Sequence, residues 1–237
     1  MSFNGNFDWG DAWVMYSIWS ANERRIRRYE EEYEEQQKAQ QKPHLSEENK
    51  ARIKDISRDV ENKLRGIEAE EKIHSYLNPG PFAKVPHFEL KNTYLVDTNG
   101  MSHEIDFIEI RETGIFCIEV KNWSGSVKGA RQGKYWNVNG NLRRNPCFQN
   151  DTHIRAIHDI IGKKPHITSV IVMAQNNARP INIDGVINLS DFRSFMSQFT
   201  EKVISVDEMG RIYSLLKNAS VKMSREQHLE NIRKYGK

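Results

Sequence analysis

The chain has 237 residues, a formal net charge of +3, two cysteines and 38% hydrophobic residues. That length suffices for one sizeable domain plus an extension, and no apolar run approaches the roughly 18 residues a membrane span needs. The opening MSFNGNFDWGDAW lacks the basic and apolar regions of a secretory signal, and Cys117 and Cys147 form neither a CxxC pair nor a zinc signature, so a reducing cytoplasmic setting without membrane association is expected.

Residues 1–10 read as a lead-in and residues 11–41 as one long helix, capped by Asp8 or Asp11. Trp13, Tyr16, Trp19, Ile26, Tyr29 and Tyr33 make a seam at helical spacing, set among arginines and then glutamates. A seam that narrow cannot sustain a helix alone, so a partner is required. It is supplied by a helical hairpin within the chain, or by coiled-coil pairing with a second copy or another protein. Pro43 ends this helix, and Ser46 caps the next, with Glu47 and Glu48 in its first turn. Its stripe runs through Ile53, Ile56, Val60, Leu64, Ile67, Ile73 and Leu77. Glu70 falls on that stripe, where a charge needs a partner; His74 at i+4 is one candidate and a functional site the other. Glu68 and Glu71 point to other faces and read as surface.

Asn78–Pro81 breaks the helix. Phe88–Val96 reads as a strand, and Asp97–Gly100 turns it into a second strand over His103–Ile110. Arg111–Gly114 has turn composition. Ile115–Val120 is a run of β-formers suited to a central strand, yet it ends on Glu119, Val120 and Lys121. If Arg111–Gly114 closes an antiparallel hairpin, Ile110 pairs with Ile115, Asp106 faces Glu119 and Glu104 faces Lys121. Period-two alternation then puts all four charged side chains on one face. Opposed Cβ atoms lie roughly 4.5–5.5 Å apart, so two carboxylates there repel unless a divalent cation sits between them. Oxygen ligation suits Mg²⁺ or Mn²⁺ rather than Zn²⁺. A one-residue slip would point Asp106 elsewhere.

Asn122–Gly125 leaves the strand. Lys134–Val138 and Asn141–Arg144 read as a small hairpin turning at Asn139-Gly140, with basic residues beside Tyr135 and Trp136. Pro146 opens a helix to about Ile161, carrying Gln149, His153 and Arg155 near its start; His153 and His158 read as helix-surface histidines. Ser169–Ala174 is a buried strand, parallel to Ile115–Val120 through the helical crossover. Ile181–Leu189 gives a further strand, Ser190 or Asp191 caps a helix to Phe199, and Asp207–Lys217 and Ser224–Tyr235 are helical. The fold class is therefore α/β (α+β), a mixed central sheet flanked by helices with an N-terminal long-helix extension.

Charge is unevenly spread. Residues 122–165 carry eight basic and two acidic residues, net +6, which leaves −3 for the rest. Lys128, Arg131, Lys134, Arg143, Arg144 and Arg155 thus follow the candidate site in sequence, where a phosphate backbone would lie; a solvated basic surface is the plainer reading.

Asp106 followed by Glu119-Val120-Lys121 resembles the PD-(D/E)xK nuclease pattern. Gly66-Ile67-Glu68-Ala69-Glu70, Glu104-Ile105-Asp106, Gly114-Ile115-Phe116, Glu119 through Gly125, and Asn145-Pro146 with Gln149 together resemble the nuclease-related domain (NERD) family over about residues 63–162. Ala69 departs from it, standing where the family usually has glycine. The resemblance implies a restriction-endonuclease-like core and a metal-dependent nuclease, endo- or exonucleolytic, acting on nucleic acid and favouring DNA. It implies that Asp106, Glu119 and the Val120 main-chain carbonyl hold Mg²⁺ or Mn²⁺, that Lys121 positions or activates water, and that Glu70 assists, as a further candidate metal ligand, together with Gln149. The corresponding division is 1–62 helical extension, 63–190 nuclease-like core and 191–237 C-terminal helices. The alternative is a catalytically silent module on the same fold that binds nucleic acid or protein.

Overall fold

The computed structural model describes residues 23, 25–35, 46–77, 86–179 and 181–236. The expected lead-in, the caps at Asp8 and Asp11, the seam residues Trp13, Tyr16 and Trp19, the Pro43 break and the Asn78–Pro81 turn lie outside the described residues. The chain divides into two compact units, Met1–Glu68 and Ala69–Lys237.

In the first unit residues 25–35 are helical, here α1, and the Lys63 ammonium lies 5.6 Å above the Tyr29 ring. Helix α2, Glu47–Leu77, begins here. Ser46 caps it as expected, its hydroxyl accepting from the Asn49 amide at 3.3 Å.

The second unit takes up the last turns of α2. It continues with β1 (His87–Val96), β2 (Ser102–Arg111) and β3 (Gly114–Lys121), a small insertion of β4 (Val127–Lys128), β5 (Tyr135–Val138) and β6 (Asn141–Arg144), then α3 (Pro146–Ile161) and β7 (Ile167–Met173). After these come β8 (Val186–Asn188), a 3₁₀ turn over Leu189–Asp191, α4 (Phe192–Met196), α5 (Val206–Ala219) and α6 (Arg225–Tyr235). Five strands form one mixed sheet in the order β1-β2-β3-β7-β8. β1 to β3 are antiparallel neighbours, whereas β7 pairs parallel to β3 and β8 parallel to β7. β3 is central, and its residues Gly114–Glu119 are buried, as a strand covered on both faces must be.

Two hydrophobic clusters sandwich the sheet. One joins Ile108, Ile110, Ile115 and Cys117 to Ile157 of α3 and to Met209, Ile212 and Leu216 of α5. The other joins Phe107, Phe116, Ile118, Val170 and Val172 to Ile73 and Leu77 of α2 and Phe192 of α4. From Phe107↔Ile118 to Arg111↔Gly114 the β2–β3 register is the expected one, but the ladder does not extend to the expected Asp106–Glu119 and Glu104–Lys121 pairs.

Three expectations change. The small sheet has a third strand, β4, too short to register as periodicity. The strand expected over Ile181–Leu189 shrinks to Val186–Asn188. Asp191 does not cap a long helix: a 3₁₀ turn leads into the five-residue α4, and Asp191 makes no capping bond.

Candidate active site

The sheet is distorted where the charged residues lie. The regular β2–β3 ladder stops at Phe107↔Ile118. Beyond it Asp106 replaces a main-chain partner with its side chain, Oδ2 accepting from the Val120 amide at 2.7 Å. On the other side Asn92, which stands opposite Asp106 in the β1–β2 register, has φ +49°, a left-handed conformation asparagine tolerates better than most residues. Both irregularities leave polar groups turned from the ladder, as bulges beside functional sites do.

Glu119 is buried, 2% exposed. Its Oε1 receives Lys121 Nζ at 2.5 Å, and Lys121 also donates to Gln149 Oε1 at 2.9 Å. The ammonium lies 5.8 Å from the centre of the Trp123 ring, within cation–π range. Glu70 Oε2 accepts from Asn92 Nδ2 at 3.1 Å. His74, the i+4 candidate, meets Glu89 Oε1 at 2.7 Å. Glu71, read as surface, pairs with Lys91 at 2.5 Å.

Charge is crowded here. Burial pushes the Asp106 carboxyl well above its ordinary value, and the nearby charges of Glu119 and Glu70 push it the same way. Burial acts to lower the Lys121 pKa, but the carboxylates of Glu119 and Asp106 outweigh it, so Lys121 titrates above the ordinary lysine value and is an ammonium at neutral pH.

Helix α3 is aimed by its asparagines. The buried Asn145 caps it, Oδ1 accepting from the Cys147 amide at 2.9 Å. Its Nδ2 donates to the carbonyls of Ala130, Arg131 and Gly133 at 3.1, 3.0 and 2.6 Å, tying the preceding loop to the helix start. Asn150, fully buried, donates to the Cys117 carbonyl and to Ser169 Oγ, both at 2.8 Å. That clamps α3 to β3 and β7, and Gln149 is carried to Lys121.

His153, one turn after Gln149, corrects the expectation of a surface histidine. It is 4% exposed, with Nδ1 3.4 Å from Glu119 Oε2 and its ring edge-on to His103 at 5.8 Å between centroids. Burial drives its pKa down to about 3, with the charges of His103 and Lys121 acting the same way. The i, i+4 relation to Gln149 was its one signal in the sequence.

The six basic candidates divide. Lys128, Lys134, Arg143, Arg144 and Arg155 are exposed. Arg131 instead pairs with Asp151, its guanidinium reaching both carboxylate oxygens at 2.7 and 3.0 Å. Trp136 is fully buried, its indole N–H donating to the Ala130 carbonyl at 3.0 Å, so it packs the small sheet.

Among the described residues no group of three or more His, Cys, Asp or Glu side chains is placed to hold a metal ion. The donor set nevertheless fits a hard cation. Glu119 Oε2 is a buried oxygen without a hydrogen-bond donor, the charges of Glu119 and Asp106 act on one ammonium, and the charge of Glu70 reaches Asp106. Mg²⁺ typically takes one or two carboxylates and completes its shell with water and phosphate oxygens. No helix among the described residues is long and apolar enough to cross a membrane.

The family model described as "Nuclease-related domain" matches residues 65–174, a span that contains every one of these candidate residues. An uncharacterized protein of Bacillus anthracis is 27% identical over 145 residues, which cover 57% of this chain and 68% of the relative.

Proposed function

We propose, from the premise that residues 65–174 belong to the nuclease-related domain family, that this chain is a metal-dependent phosphodiesterase acting on nucleic acid, DNA first. The observation that carries the reading is the contact of Lys121 with both Glu119 and Gln149 beside the half-buried Asp106. An ion-paired strand end needs no glutamine, and a purely structural carboxylate such as Glu119 would not be buried with one oxygen left without a donor.

Asp106, Glu119 and the Val120 main-chain carbonyl would hold Mg²⁺ or Mn²⁺, with Glu70 as the further candidate donor. When bound, the ion polarises the phosphate and lowers the pKa of water next to it. The remaining work belongs to the side chains. The Lys121 ammonium, held charged, orients the attacking water and attracts the phosphate rather than removing a proton. Gln149 fixes that ammonium from the helix side through its carbonyl, which leaves its NH₂ as the donor facing a phosphate or water oxygen. The Asp106 carboxylate, anchored on the Val120 amide, is set relative to Glu119 by main chain rather than by a flexible side-chain contact.

The test is cleavage of DNA in Mg²⁺ or Mn²⁺ by the native chain and by the Asp106→Asn, Lys121→Ala and Gln149→Ala variants. Loss in the first two and a partial loss in the third support the reading. Cleavage that survives Asp106→Asn and Lys121→Ala refutes it.

A further inference from the structure

The small sheet turns one complete face to solvent. Cross-strand partners share a face, and the register pairs Lys128 with Asn137, Asn137 with Leu142, and Tyr135 with Arg144. All five side chains are exposed, with Leu142 at 70% and Tyr135 at 47%. The opposite face buries Val127, Trp136 and Val138, so the sheet has a fixed inside and outside. Lys134 lies 5.5 Å from the centre of the Tyr135 ring. Residues 122–150 contain no Asp or Glu, and the one basic side chain in that stretch with an acidic partner, Arg131, spends its charge on Asp151. Phe148, beside Gln149, is a further exposed aromatic, at 44%.

We propose that this face binds single-stranded nucleic acid and leads it to the active site. The inference rests on the phosphodiesterase reading and adds a substrate class to it. Lysines and arginines alone would serve a duplex equally well, because phosphates are on the outside of both. A tyrosine and a leucine held outward on a rigid sheet serve a strand whose bases are unstacked: their flat faces are hidden in a duplex and free in a single strand. Charge and aromatic surface therefore coincide only for the single strand. The face follows directly from the site, since β3 ends at Lys121 and β4 begins at Val127.

The experiment measures binding by the full chain in EDTA, so that cleavage plays no part. The probes are a fluorescent mixed-sequence DNA oligonucleotide, its RNA counterpart, and the same DNA annealed to its complement. The expected result is tighter binding of the single strands than of the duplex. Tyr135→Ala should weaken single-strand binding by roughly tenfold or more while leaving duplex binding unchanged. Lys128→Ala and Arg144→Ala should each reduce the slope of log affinity against log salt by about 0.7. The RNA arm shows which backbone is preferred. Equal or tighter duplex binding, or a Tyr135→Ala variant that binds single strands like the native chain, overturns the proposal; metal-dependent duplex cleavage in the same preparation would then leave the phosphodiesterase reading standing. No oligonucleotide binding together with a dimer that Leu142→Ser dissociates would assign the face to a second copy of the chain.

Discussion

Glu119 Oε2 lies 3.4 Å from His153 Nδ1, and neither atom makes a hydrogen bond. Both residues are almost fully buried, on β3 and α3 respectively. The other Glu119 oxygen belongs to Lys121, so Oε2 is the one this carboxylate has to offer a cation, and the imidazole is what stands next to it. His153 thus packs against a proposed metal ligand, and its ring limits where that carboxylate can turn without itself being needed as a ligand.

Groups that orient metal ligands typically cost about 10–100-fold in metal affinity when removed. His153→Ala is expected to weaken Mn²⁺ binding by about that factor, read by calorimetry, with the fold retained by circular dichroism. Unchanged affinity would show that Glu119 is held by the sheet alone.

Gln149→Ala removes an acceptor from Lys121 but leaves the Glu119 contact in place. The ammonium stays charged and loses only its second anchor. The expected outcome is a fall in kcat of about 10–100-fold, the scale at which small misplacements near the chemistry act, with Mn²⁺ affinity little changed. Loss of metal binding instead would mean that Gln149 supports the carboxylates.

The second charged group on the sheet carries a pH signature. Glu109 is fully buried; Oε1 receives Arg111 Nε at 2.5 Å and Oε2 has no partner. Burial raises its pKa to about 8, against the opposing charge of Arg111, with Glu89 adding to the rise. Because the folded value lies above the unfolded one, the native state holds the proton more tightly. This contribution is fully present below the unfolded pKa near 4.5 and is lost as pH rises to about 8. The loss is on the order of 5 kcal/mol at most. Urea midpoints of Glu109→Gln should fall less between those two pH values than those of the native chain; parallel curves would place the proton elsewhere.

Trp136 seals the small sheet, and Gly129 lies flat on it: a Cβ at Gly129 would stand 2.2 Å from the indole ring. Trp136→Ala should cost roughly 3–5 kcal/mol of stability, and Gly129→Ala should cost stability by displacing the ring. Native-like stability of either variant, measured by denaturant unfolding, would contradict the packing role.

The hairpin register was legible because Gly114 and the two apolar runs leave one tight turn, and every pair from Phe107↔Ile118 to Arg111↔Gly114 follows. The convergence of Lys121 and Gln149 was legible from the resemblance, not from periodicity. The Asp106–Val120 contact was not, because a side chain replacing a ladder bond leaves no trace in alternation. His153 was missed for a related reason: at helical spacing a histidine reads the same whether it meets water or a buried carboxylate. Arg131 looked like its basic neighbours, since its Asp151 partner is twenty residues on and lies on a different element. β4 and the shortened β8 depend on neighbouring strands for their pairing, which local propensity does not report.

Metal dependence of cleavage tests the central claim most directly. Circular and linear DNA are incubated with the full chain in Mg²⁺, in Mn²⁺ and in EDTA, beside Lys121→Ala. Cleavage that requires the metal and disappears in the variant is the predicted result, and loss of the circular form would identify endonucleolytic action. Absence of cleavage with every metal, in a protein that also fails to bind Mn²⁺ by calorimetry, would contradict the assignment of Asp106 and Glu119 to a catalytic metal site.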